Sequence, residues 1–147
     1  MFFLKELPSL KVLETYRERF PAMNVDKVHA ALHMLRRASQ LMRELDNYFA
    51  EHELSTLRYL ILVVLDREDG PDGLKASELA DRIDVSRPLM TRTIQGMVDD
   101  GMLAYQSCEE DARAKLVSLT RSGRNKLNRV LPGYYQLIDR FMSNSEE

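Results

Sequence analysis

Residues 76–92, with the sequence ASELADRIDVSRPLMTR, decide the fold of this chain. Apolar residues recur at helical spacing over 76–84 and again over 86–100, with a tight connection between the two segments. Ser86 is a helix-capping residue type, and Pro88 falls in a first turn, where a missing N–H is tolerated. Two short helices joined in this way predict a helix-turn-helix, whose second helix can enter a major groove.

The second helix of this pair separates an apolar face from a polar face. At about 100° per residue, one side collects Met90, Ile94 and Met97. The opposite side carries a set of residues that suits nucleic acid, because arginine pairs with guanine, glutamine with adenine, and a helix N-terminus with phosphate. The alternative is an ordinary solvated face, since exposed arginine and glutamine are common. The polar set comprises Pro88, Arg92 and Gln95, with Thr91 at its edge, and Arg87 lies at the helix N-terminus, where it could hold a phosphate.

Downstream of this helix, segments 103–107 and 115–119 predict two strands of a hairpin with a long polar tip. The second strand alternates cleanly, but its inward face is ambiguous. Near the tip, Arg113 could enter an adjacent minor groove, and Asp111 could orient its guanidinium. The alternative is an exposed ion pair in a turn, with no partner outside the chain.

Helical patterns flank the motif on both sides. Segments 9–20, 25–50 and 55–67 predict helices capped by Ser9, Asn24 and Ser55, although a strand competes for the third of them. Thr120 caps a final helix, which Pro132-Gly133 should break or kink. The predicted fold class is mainly α with a small β wing: a winged helix-turn-helix with N- and C-terminal dimerisation helices.

Two stretches together resemble the MarR family of regulators. Residues 76–92 resemble its helix-turn-helix, and residues 111–123 resemble its wing, with Asp-x-Arg and Leu-Thr-x-x-Gly patterns. Gly101-Met102-Leu103 joins them as the family's Gly-Leu-Val/Ile junction does, and the similarity covers about residues 54–127. Three departures stand out: Ala112 replaces a frequent arginine, Glu109-Glu110 adds acid to the wing tip, and Gly96 interrupts a helix.

The resemblance implies a homodimeric repressor of a double-stranded, pseudo-palindromic DNA operator, released by a small phenolic or anionic effector or by oxidation. It divides the chain into dimerisation helices at 1–53, a DNA-binding domain at 54–120 and dimerisation helices at 121–147. The apolar stripes of the flanking helices favour a dimer over an enlarged monomer core, with recognition helices ~34 Å apart. By position, the DNA contacts would be Ser86, Arg87, Pro88, Thr91, Arg92, Gln95, Asp111 and Arg113.

Composition limits the class of protein but does not indicate its function. The chain has 147 residues, 44% of them hydrophobic, and its net charge of -2 gives no hint of nucleic acid. An alternative function is therefore a winged-helix module that binds a partner protein instead of DNA. We expect no signal peptide or membrane span, and the single cysteine, Cys108, suits a reducing compartment such as the cytoplasm.

Few residues suit catalysis or metal binding. No phosphate-binding glycine loop or catalytic triad pattern is visible, so we predict no enzyme activity and no cofactor. His29 and His33 are spaced i, i+4, which can bind a metal, but two surface histidines are the preferred interpretation and a metal sensor the alternative. Acidic neighbours should raise the pKa of Cys108, which favours a passive thiol over a redox sensor.

Overall fold

The computed structural model describes residues 2, 4–68, 73–107 and 115–144, and within them the predicted mainly α architecture with a small β wing is confirmed. None of the helices in these ranges combines the length and apolarity needed to cross a bilayer. The helices are α1 (Leu10–Arg19), α2 (Val25–Glu51), α3 (Thr56–Asp66), α4 (Ala76–Arg82), α5 (Arg87–Asp99) and α6 (Arg121–Ser143). The strands are β1 (Leu74–Lys75), β2 (Leu103–Ser107) and β3 (Lys115–Leu119).

The chain forms two compact units, Met1–Leu45 and Asp46–Glu147, and α2 contributes residues to both. In the first unit, the predicted helix caps are confirmed. The Ser9 hydroxyl accepts from the Val12 N–H, and the Asn24 side chain accepts from the Lys27 N–H at 2.9 Å. Each bond satisfies an amide that the first helical turn leaves without a partner.

Helix α3 lies at the centre of the second unit. Its Ser55 cap accepts from the Arg58 N–H, and the helix, not the competing strand, is what this apolar segment forms. Ile61 and Leu62 have no exposed surface. Because α3 is apolar on most sides, other elements cover most of it, although Leu60 stays 38% exposed. The fully buried side chains that share this core are Phe49, Leu79, Met90, Ile94, Met97, Leu103, Val117, Leu127 and Val130.

A three-stranded antiparallel sheet in the order β1-β3-β2 carries the wing. Strands β2 and β3 have the predicted bounds, and Val117, which is fully buried, settles which face of β3 points inward. Sequence analysis missed β1, which places Leu74 beside Val117. This strand is two residues long, too short for an alternating pattern to show in the sequence.

Of the break or kink predicted at Pro132-Gly133, the break is wrong, since α6 runs from Arg121 to Ser143 with Pro132 inside it. Proline removes one hydrogen bond from the helix ladder. Buried Val130 and Leu137 anchor the helix on either side of it. The Tyr48 hydroxyl also donates to the Val130 carbonyl oxygen at 2.7 Å. Tertiary packing on both sides of the proline therefore sustains a helix that the local sequence disfavours.

Replacing Tyr48 with phenylalanine should lower the free energy of unfolding by about 0.5–1.5 kcal/mol, because the bond to Val130 is lost. Burial raises the pKa of Tyr48, so the hydroxyl stays protonated and keeps donating in alkaline solution. Urea unfolding at pH 7 measures the change. Tyr135→Phe is the matched control, since Tyr135 is 60% exposed, and an equal loss there would contradict the assignment.

Candidate nucleic-acid interface

Helix α5 is fixed at both ends by local hydrogen bonds. Ser86 caps its start by accepting from the Leu89 N–H, so the hydroxyl proton of Ser86 is still available to donate. At its end, Met102 N–H donates to the Met97 carbonyl at 2.9 Å, across Gly101 in a left-handed conformation. This is the Schellman arrangement, which stops a helix at a defined residue.

The predicted division of α5 into two faces is confirmed. Met90, Ile94 and Met97 are fully buried or nearly so and hold the helix on the core. The outward side chains are therefore presented from a rigid element. Those predicted to contact DNA on this helix are all exposed: Arg87, Pro88, Thr91, Arg92 and Gln95.

The two arginines of α5 differ from several others in the same unit. Carboxylates hold Arg58, at 2.6 Å from Asp100, and Arg124, at 2.7 Å from Asp66. Within the residues that the structure describes, Arg87 and Arg92 form no hydrogen bond or ion pair. Their guanidinium groups thus face solvent and can meet an external phosphate or base edge.

Gln95 is exposed, but both ends of its amide are engaged. Its NH₂ group donates to Asp99 at 2.9 Å, and the Tyr105 hydroxyl donates to its oxygen at 3.3 Å. To bind an adenine, Gln95 has to give up both of these hydrogen bonds. The nearby carboxylate of Asp99 also repels the phosphates of DNA. Gln95 is therefore less well prepared for base contact than Arg92.

Two residues at the base of the wing were missed by sequence analysis. The Lys115 ammonium lies 5.1 Å from the centre of the Tyr105 ring, a cation–π contact across the hairpin. Tyr105 also donates its hydroxyl hydrogen bond to Gln95, so this contact links the wing strands to α5. Lys115 and Tyr105 come together because Ser107 faces Lys115 in the register of β2 and β3. The pairing of the two predicted strands was the signal that could have identified this contact.

Leu89 is a further residue that the sequence did not single out. It is 38% exposed on the flank of the polar face of α5. Apolar side chains in this setting contact the methyl group of thymine.

The wing-tip residues Asp111 and Arg113, and Cys108, lie outside the described residues, so their predicted roles stay predictions.

Beneath α5, Gly96 has a packing partner. A Cβ atom at this position would lie 2.8 Å from a terminal nitrogen of Arg58. Arg58 in turn pairs with Asp100, the residue that ends α5. The helix-weakening glycine thus makes room for an arginine that joins α3 to the end of the recognition helix.

A cleft of about 330 Å³ opens beside this ion pair. It carries three cations and two carboxylates, so its charge favours an anion. Arg58 and Asp100 are already paired, whereas Lys126 and Arg129 complete the cationic side. In the described residues, no group of three or more histidine, cysteine or acidic side chains is placed to hold a metal ion. The cleft is lined by Glu53, Arg58, Asp100, Met102, Ser122, Lys126 and Arg129.

Comparisons with known proteins agree with this architecture. Residues 52–114 match the family model described as the MarR family. The chain is 28% identical over 142 residues to the HTH-type transcriptional repressor YetL of Bacillus subtilis (strain 168), covering 96% of this chain and 84% of that protein. Among solved structures, the MarR family regulator AbsC of Streptomyces coelicolor superposes with a TM-score of 0.76 at 23% identity, covering 83% and 82% of the two chains. The M. tuberculosis transcriptional regulator MosR, solved in complex with DNA, superposes at 0.64 and is 27% identical, covering 80% and 84%.

Proposed function

We propose that this chain is a repressor of the MarR family that binds a pseudo-palindromic DNA operator as a homodimer in the cytoplasm, on the basis of the family-model match over residues 52–114 and its similarity to a transcriptional repressor. One observation carries the proposal. Helix α5 is locked on the core by its apolar face and turns Arg87 and Arg92, which have no partner among the described residues, toward solvent. The regulatory names of its relatives support a role that involves no catalysis.

Exposed apolar side chains support the homodimer. On α1, Tyr16 is 47% exposed and Leu10 and Val12 are similarly open, and Phe20, which directly follows the helix, is 57% exposed. On α6, Tyr135 is exposed as well. Exposed apolar residues clustered on one helix mark an interaction surface, and two-fold self-association is the commonest way to cover one. A two-fold dimer would present two copies of α5 to half-sites about one DNA turn apart.

The deciding experiment is selection from a randomised duplex pool at moderate salt, followed by sequencing. We expect an enriched inverted repeat with half-sites about one turn apart. Binding to it should weaken as salt rises, because arginine–phosphate contacts release counterions. A folded, dimeric protein that enriches no sequence would favour the protein-interaction alternative.

Arg113→Ala should weaken operator binding with a smaller loss of sequence preference than a change on α5. A minor-groove arginine responds mainly to groove width, so the loss should be greatest on operators with A·T-rich flanks. Fluorescence anisotropy on operators with A·T or G·C flanks measures both effects. Equal affinity of the variant and the wild type on both duplexes would remove Arg113 from the interface.

We propose that an anionic, carboxylate-bearing effector releases the operator by binding the cleft beside Arg58. A carboxylate there would compete with Asp100 for Arg58, and Asp100 ends the recognition helix.

Salicylate, which has both a carboxylate and a phenol, is the probe. Lys126→Gln should raise the salicylate concentration for half-release several-fold. Arg121→Gln, which changes a cation outside the cleft, is the control, and equal responses of the two variants would reject this site.

A further inference from the structure

Two of the three histidines in the chain face each other on α2. The Nε2 atoms of His29 and His33 are 3.1 Å apart, and their ring centroids are 4.2 Å apart. His33 is exposed and His29 is half-buried, so solvent reaches both nitrogens. The third, His52, packs edge-on against the Tyr48 ring, with centroids 4.7 Å apart. Only the first pair therefore aims two ligand atoms at one point.

The separation of the two nitrogens suits one shared cation. Imidazole binds zinc at about 2.0–2.1 Å, and two such bonds at angles of 90–109° place their nitrogens roughly 2.9–3.4 Å apart. The observed 3.1 Å lies inside this range, so neither ring has to change rotamer by much. The i, i+4 spacing fixes this geometry on consecutive turns of a helix that begins one turn before His29 and continues to Glu51.

We propose that His29 and His33 form a two-imidazole site for a borderline divalent cation such as Zn²⁺, Ni²⁺ or Cu²⁺, with water in the remaining positions. Neutral imidazole is the ligand form that these cations prefer. In the unbound pair, one ring donates its Nε2 proton to the other. On binding, that proton moves to Nδ1 of the same ring, and each Nε2 gives its lone pair to the metal.

The surroundings set the expected strength of the site. Asp26 lies one turn before His29, but it is not placed with the histidines as a three-ligand group in the described structure. Arg36 and Arg37 follow one turn after His33 and oppose an added positive charge. Two ligands beside two arginines predict a weaker site than the closed, four-ligand sites of structural zinc.

Calorimetric titration of the full chain with ZnCl₂ and NiCl₂ tests the proposal. A Cys108→Ser background removes the one thiol. We expect one cation per chain at pH 7.5, and at least about tenfold weaker binding in His29→Gln and in His33→Gln. The cation should also raise the Tm of the parent and not that of either variant, because it binds the folded helix.

His52→Gln is the matched control, and its affinity for both cations should stay within about twofold of the parent. Circular dichroism confirms that all variants are folded. If either substitution on α2 leaves the affinity unchanged, or if His52→Gln weakens it equally, the site is not there. The titration contains no DNA, so its failure would leave the proposed operator binding untouched.

Discussion

Arg92→Ala should lower operator affinity by about 1–3 kcal/mol, roughly 5- to 150-fold, and relax the preference at one base pair of each half-site. Arg92 lies in the second turn of α5, on the side opposite Met90, Ile94 and Met97. A bidentate arginine–guanine contact explains an effect of this size, because the guanidinium matches both acceptors of guanine at once. Anisotropy titrations on the selected operator and its single-base variants measure both quantities.

The loss should appear in binding and not in stability. Arg92 is exposed and has no hydrogen bond within the described residues, so its removal should change the free energy of unfolding by less than about 0.5 kcal/mol. Arg92→Lys separates shape from charge: it should keep most of the phosphate attraction and lose the base preference.

Arg124→Ala is the matched control for Arg92→Ala. It removes the same group from a residue that Asp66 holds on the surface of α6, 2.7 Å away. Base preference should stay unchanged in this variant. Equal affinity and preference in Arg92→Ala and wild type would mean that α5 does not read the operator through this residue.

The sequence predicted well those features that depend on near neighbours. Each predicted cap on α1, α3, α5 and α6 is a bond between residues three apart in the chain. The faces of α5 follow from helical periodicity, because Met90, Ile94 and Met97 recur on one side whatever lies beyond. Exposure of Arg92 then follows from the same periodicity. Arg87 begins the helix on the side of Met90 and Ile94, so its exposure does not follow from periodicity.

Features that depend on distant segments could not be predicted. The proline in α6 is tolerated because Tyr48, 82 residues away from its partner Val130, packs there. Strand β1 exists because its two residues meet β3. The engagement of Gln95 by Tyr105 requires the hairpin to fold back on α5. Local rules gave the wrong answer or none at these places, since tertiary contacts override propensity.

Gly123→Ala should destabilise the second unit more than any surface change, by about 3 kcal/mol. Gly123 is buried in the first turn of α6, and a Cβ atom there would lie 2.1 Å from the Met102 carbonyl oxygen. The carbonyl cannot easily move, because it accepts the Thr120 N–H at 3.1 Å. Thr120 also caps α6 and donates to the Gly101 carbonyl at 2.6 Å.

These contacts give a physical reason for the Leu-Thr-x-x-Gly pattern at 119–123. The threonine ties the start of α6 to the connection that follows α5, and the glycine lets the two backbones touch. A methyl group between them should therefore push α6 away from the end of the recognition helix. We expect Gly123→Ala to bind the operator more weakly as well, although Gly123 is not one of the residues predicted to contact DNA.

Two neighbouring substitutions separate backbone contact from other causes. Ser122→Ala changes an exposed residue of the same turn and should alter the free energy of unfolding by less than about 0.5 kcal/mol. Gly101→Ala meets no atom within 4 Å, but it places alanine at a φ of +78°, which should cost about 1 kcal/mol. Urea unfolding should give Gly123→Ala a clearly lower free energy of unfolding than the other two variants. If Gly123→Ala unfolds no more readily than Gly101→Ala, close approach to Met102 is not what requires the glycine.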